Sequence, residues 1–117
     1  SIQIAFKKND KNFSIAAIEG MVFYYENVGK CIKKVEEVEL QISELFIDTE
    51  KSERLTDAHP SDNTGKSKVT DVYFIFNDNS AAVIACYDWS SESEFTDNFR
   101  ISVRNYDYRK WLTYDAY

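Results

Sequence analysis

The opening segment IQIAF alternates Ile2, Ile4 and Phe6 with smaller or polar neighbours, which is the two-residue period of a short strand, and it runs into the turn-forming Lys7, Lys8, Asn9 and Asp10. From Asn12 onward the apolar positions Ile15, Ile18, Val22 and Tyr25 recur at three- and four-residue intervals, and Gly29 follows as a stop. That spacing predicts an amphipathic N-terminal helix of about four turns, weakened by Gly20, which costs about 1 kcal/mol relative to Ala inside a helix. The next stretch, CIKKVEEVELQISELFIDTEKSERLTD, fits two periods. Cys31, Val35, Val38, Ile42 and Leu45 form a helical stripe, whereas Val38, Leu40 and Ile42 alternate with Glu39 and Gln41 as a strand would. The strand reading uses Leu40 and the β-branched residues that a helix would waste. It predicts a turn of helix to about Lys34 and then strand, with residues 35–48 left open between the two.

AHPSDNTGKSK is the one long polar segment; it holds the only Pro and the only His and reads as a mobile surface loop. VTDVYFIF and SAAVIACYDW are two strands joined at Asn77, Asp78, Asn79 and Ser80, residue types that tolerate the positive φ of a tight hairpin. NFRISVRN places Phe99, Ile101 and Val103 inward and Arg100, Ser102 and Arg104 outward, as an antiparallel strand with one wet face does. In the tail YDYRKWLTYDAY, Tyr108, Trp111 and Leu112 stand at helical spacing. These elements predict a single α+β domain over residues 1–117. It has one antiparallel sheet of about five strands, an N-terminal helix and a short C-terminal helix, and residues 69–76, 82–88 and 98–104 are consecutive neighbours in the sheet.

At 117 residues the chain can bury roughly two thirds of its unfolded surface in one core, and an apolar fraction of 44% with 15% aromatics is too rich for a disordered chain. The formal charge of −6 repels phosphate backbones and favours encounter with a basic protein instead of nucleic acid. No apolar run approaches the roughly 18 residues that cross a bilayer, and SIQIAFKKND lacks the apolar block of a signal peptide. The expected location is therefore the cytoplasm, although a chain starting at Ser1 leaves room for a removed signal. Cys31 and Cys86 lie in mostly apolar surroundings without the C-x-x-C spacing of a zinc or redox site. They are expected as two buried, reduced thiols, with a disulfide as the alternative.

Candidate chemistry is sparse. PSDNTGKS, residues 60–67, ends like a phosphate-binding loop, but Pro60 replaces its first glycine, and a strand follows where that motif needs a helix. Asp57, His59 and Asp62 could supply oxygen and imidazole ligands to a metal, yet three candidates in a polar loop with no second cluster read as solvated. A hydrolase would have to use His59, with Asp57, in the least rigid part of the chain. The expectation is therefore a protein that is not an enzyme and holds no cofactor or metal.

One stretch stands apart. In CYDWSSESEFTD, Tyr87 and Trp89 offer rigid contact area beside Asp88, Glu92, Glu94 and Asp97, with no basic residue between them. Aromatic anchors rimmed by carboxylates are what an interface that captures Lys or Arg requires. The plainer alternative is a tryptophan capping the core above a solvated acidic turn.

The longer pattern FIFNDNSAAVIACYDWSSESEFTDNFRISV resembles the C-terminal half of bacterial toxin-immunity proteins, those of contact-dependent growth inhibition systems in particular. In these a hairpin with a polar turn runs into an aromatic-acidic DWS stretch and one more strand. The resemblance implies a cytoplasmic protein that binds and neutralises the C-terminal domain of a cognate toxin, often a nuclease. Its acidic surface would face the toxin's basic one, or a sheet edge would accept a toxin strand. On that reading Tyr87, Asp88, Trp89, Glu92, Glu94 and Asp97 bind the partner. The alternatives are a periplasmic or secreted inhibitor or adaptor with a Cys31–Cys86 disulfide, and a small hydrolase built on Asp57 and His59.

Overall fold

A computed structural model describes residues 1–12, 14–25 and 27–116. Its elements, in chain order, are β1 (Ile2–Phe6), β2 (Ile15–Phe23), α1 (Val28–Leu45), β3 (Glu50–Lys51), β4 (Leu55–Ala58), β5 (Lys68–Ile75), β6 (Ala81–Asp88), β7 (Asn98–Arg104) and α2 (Tyr106–Tyr114). Among the described residues the architecture is α+β, a single antiparallel sheet of seven strands with two helices, in the order β1-β2-β7-β6-β5-β3, with β4 also pairing β5. The expected class holds, and the strand count exceeds the expected five. The three strands expected to be consecutive neighbours are so: β5 pairs β6 and β6 pairs β7. Asn79 takes a φ of 65° in the β5–β6 turn. The expected C-terminal helix is α2, whose first turn Asn105 caps by accepting from the Tyr108 amide at 2.8 Å.

Two expectations of secondary structure are overturned. The predicted N-terminal helix is the strand β2, with Ala17, Glu19 and Met21 buried on one face and Ile18 and Val22 exposed on the other. The three- and four-residue spacing of Ile15, Ile18, Val22 and Tyr25 coexists with a two-residue period, and β7 supplies the cross-strand partners that decide between them. Residues 13 and 26, which flank this segment, lie outside the described residues.

The second correction is that α1 continues to Leu45 instead of giving way to strand near Lys34. Gly29, expected to end a helix, lies in the first turn of this one, and the Asn27 side chain caps it by accepting from the Lys30 amide at 3.3 Å. Cys31, Val35 and Ile42 are buried along one stripe, and Leu40 is left 65% exposed, so the helix does waste the residue that argued for a strand.

The α1 stripe packs on one face of the sheet against Val72, Phe74, Ala82, Ile84, Cys86 and Phe99. Here Cys31 and Cys86 join as a disulfide, their Cα atoms 5.7 Å apart, correcting the expectation of free thiols. The first turn of α1 lies over the C-terminal end of β6, which brings together cysteines 55 residues apart in sequence. No helix among the described residues is long and apolar enough to cross a membrane.

Candidate functional site

On the face opposite α1 the strands form an open cleft of about 530 Å³, with Tyr108 and Leu112 of α2 along its rim. Alternation along the strands selects its lining. β5 contributes Asp71 and Tyr73, β6 contributes Tyr87, and β7 contributes Arg100 and Arg104. For β7 the expectation holds at Phe99, which is buried beneath α1, and is inverted further along: Ser102 and Arg104, read as its wet face, are 1% and 6% exposed, whereas Ile101 and Val103, read as inward, stand 37% and 54% exposed.

The burial of polar groups is explained by Glu19, which β2 turns into the same space. Its carboxylate accepts from the Ser102 hydroxyl at 3.0 Å, and it lies 3.5 Å from Arg104 and 3.6 Å from Arg100. Arg104 also donates to the Tyr73 hydroxyl at 3.2 Å. The Arg100 guanidinium lies 4.1 Å above the Tyr87 ring and its Nε donates to Asn98 at 2.8 Å. One carboxylate thus answers two guanidinium groups in a partly dry setting, where a charge without a partner would be costly.

Two further carboxylates line the cleft without such an answer. Asp71 pairs in register with Leu55 and Val69 with Asp57, so Asp57 and Asp71 stand diagonally across β4 and β5. Neither makes a hydrogen bond or ion pair among the described residues. Burial raises the Asp71 carboxyl to about 6 from its ordinary 3.8; Arg104 opposes the rise and Asp57 adds to it.

His59 and Trp89 close one end. The segment read as a mobile loop is a set of hydrogen-bonded turns organised by Asp62, which accepts from the Ser67 amide at 3.0 Å and its hydroxyl at 2.6 Å, and from the Thr64 amide at 2.9 Å. The Ser67 hydroxyl, and the Thr64 hydroxyl that donates to the same carboxylate at 2.6 Å, hold the Asp62 carboxyl below its usual range. Contrary to the expectation that it is solvated, His59 is buried at 7% exposed, its ring 4.6 Å from that of Trp89 and 5.8 Å from that of Tyr87. Its Nδ1 accepts from the Ser61 amide at 3.1 Å, and burial, with Arg100 nearby, lowers its pKa.

The six residues expected to bind a partner are therefore divided. Tyr87 and Trp89 line the cleft together, and the exposed Phe95 ring lies 4.7 Å from Trp89. Asp97 is occupied in accepting from the Trp89 amide at 2.8 Å, and Glu92 pairs with Lys66 at 2.8 Å. Glu94 is exposed. Asp88 falls on the alternate side of β6 from Tyr87, with its carboxyl raised by burial and by Asp97. Of the metal or hydrolase candidates, Asp57 and His59 share the cleft while Asp62 is turned to Ser67 and Thr64.

Sequence reasoning missed Glu19, Asp71, Tyr73, Arg100 and Arg104. Their signal was a charge set inside an apolar strand, at Glu19 in IAAIEGMVF and Asp71 in KVTDVYFI. Compared with known proteins, the chain matches no family model, no curated protein and no solved structure.

Proposed function

We propose that this chain is a non-catalytic binding protein of the immunity type, which captures a basic surface of a cognate toxin domain and occludes it. The observation that carries the reading is the charge balance of the cleft. Glu19 forms the close ion pairs of both arginines, which leaves Asp57 and Asp71 with no hydrogen bond or close ion pair of their own beside the rings of Tyr73, Tyr87 and Trp89, although the Arg104 charge still acts on Asp71. A lysine or arginine of a partner entering there gains two carboxylates and aromatic contact area in a partly desolvated pocket, the setting in which interface residues contribute most. Glu94 and the net charge of −6 draw such a surface in from a distance.

The test is binding of the purified chain to a basic toxin domain of the proposed class, followed by surface plasmon resonance from about 50 to about 500 mM salt, where the Debye length shortens about threefold. Association should slow as salt rises, and Asp71→Asn and Trp89→Ala should each weaken the complex. Capture that is indifferent to salt and to both substitutions would sink the proposal.

A second reading is favoured by one observation. The Cys31–Cys86 disulfide suits an oxidising compartment, where the chain would act as an exported inhibitor or adaptor, whereas the immunity reading proposes the cytoplasm. Alkylating free thiols at lysis and weighing the protein separates the two: two alkylated cysteines support the cytoplasm, and none supports export.

A further inference from the structure

The half of the sheet that α1 leaves bare is apolar across three adjacent strands. Ile2 and Ile4 of β1, Ile18 and Val22 of β2, and Ile101 and Val103 of β7 all face the α1 side and stand between 37% and 75% exposed. Register makes them a block: Ile18 lies between Ile4 and Val103, and Gly20 lies between Ile2 and Ile101. A Cβ at Gly20 would meet only Ile101, at 3.7 Å, so the block has a dent at its centre. Its rows continue those of the core, since Val103 pairs with Ala82 and Ile101 with Ile84, both packed beneath α1.

The chemistry of the block selects its occupant. On this face β2 presents Ile18, Gly20 and Val22 and β7 presents Phe99, Ile101 and Val103, so those strands place no charged side chain on it. On those positions a basic toxin surface would find no carboxylate and an anionic membrane no lysine or arginine; the nearest lysines in sequence, Lys7, Lys8 and Lys11, belong to the β1–β2 turn outside the block. Homodimer interfaces are the apolar class, composed like a domain core cut in half. The six side chains leave roughly 500 Å² of apolar surface in water, at the upper end of what monomers expose and well over half of the roughly 800 Å² per copy that a standard interface takes.

We propose that this face is a homodimer interface in which two copies stack bare half-sheet on bare half-sheet about a two-fold axis. Stacked sheets lie about 10 Å apart and a helix is about 10–12 Å thick, so α1 of each copy fits in the same layer, flanking the other's strands. The interface is on the opposite face from the cleft and leaves the cleft open, so it stands or falls independently of the binding function proposed above.

Analytical ultracentrifugation from about 5 to about 300 μM tests it, together with the melting temperature over the same range, because dimerisation makes Tm rise with concentration. The parent should reach twice its 13.6 kDa mass. Ile18→Lys and Ile4→Lys each place a charge in the block; each should weaken the dimer at least about 100-fold and leave the circular dichroism of the dilute monomer unchanged. Leu40→Lys, on the exposed side of α1, should leave the dimer intact. A parent that stays monomeric across the range overturns the proposal, whether or not it adsorbs to lipid vesicles, and so does a dimer that survives both isoleucine substitutions. Should Ile18→Lys fail to fold, Ile4→Lys on the edge strand decides alone.

Discussion

Replacing Asp71 by Asn should stabilise the protein above neutral pH and weaken partner capture at the same time. A carboxyl raised from 3.8 to about 6 on folding is a group whose ionised form the folded state disfavours. Below about pH 4 the side chain is neutral in both states and contributes nothing; as pH climbs from about 4 to about 6 the unfolded chain ionises first, stability falls, and above about 6 the penalty is constant. The full difference corresponds to about 3 kcal/mol, and solvent screening of a half-buried group reduces it to about 1–2 kcal/mol. Asn keeps the shape and carries no charge, so it removes that penalty. Urea unfolding followed by tryptophan fluorescence, on parent and variant at about pH 3.5, 5, 6 and 7.5, should show a stability difference near zero at the lowest value, opening to about 1–2 kcal/mol in favour of Asn at the highest. A difference independent of pH, or an Asn variant less stable at about pH 7.5, would refute the reasoning, because the penalty would then not lie in the charge.

Reducing the disulfide, or replacing both cysteines by Ala, should lower stability by about 4 kcal/mol from loop-closure entropy over a 55-residue separation, read as a shift in urea midpoint with and without reductant; no shift would mean that α1 docks as firmly unlinked. Trp89→Ala should weaken partner capture by about 2 kcal/mol or more, measured by calorimetry, with a thermal melt beside it to separate lost contact from lost packing on His59 and Phe95. Asp97→Ala should lower stability by about 1 kcal/mol, as loss of a side-chain cap on the Trp89 amide does, whereas Glu94→Lys should leave the melt unchanged and slow association; equal effects on the melt would contradict the division of roles between the two acids. His59→Ala should cost about 1–3 kcal/mol in stability through lost packing and leave partner capture within a few-fold; loss of a hydrolytic activity in that variant would move the catalytic reading to first place.

The C-terminal half of the sheet was legible because its signals are local. Asn77 to Ser80 fix a hairpin by their own conformational preferences, and the flanking strands alternate about that turn. β2 was not legible, because the residue that most argues for its strand face is Glu19, a carboxylate whose burial makes sense only once Ser102, 83 residues away, and Arg104 are beside it. The same blindness inverted β7 past Phe99. An alternating Arg-Ser-Arg row reads as wet until an internal anion is known, and an Ile-Val row reads as core until α1 is seen to stop short of it. α1 failed differently: Leu40 is a large apolar residue that packing leaves in water, which periodicity cannot anticipate. For the site, Tyr87 and Trp89 were found from their clustering. The flanking acids drew attention by number, but Asp97 and Glu92 turned out to be committed to a backbone amide and a lysine, and the carboxylates left without a close partner, Asp57 and Asp71, came from other strands.

Because β2 pairs with β7, the first long strand among the described residues hydrogen-bonds to the last of them. During synthesis the β1–β2 hairpin has no neighbour until β7 has emerged, and a two-stranded ribbon is marginal alone. Non-local closure of this kind slows folding, since the intervening loop entropy must be lost before the pairing returns anything. Through that interval Ile4, Ile18 and Val22 are presented on a ribbon with two open edges, the kind of surface that recruits chaperones or seeds aggregates at high expression. Yield in a recombinant host should therefore respond more to growth temperature and chaperone level than the stability of the finished fold would suggest.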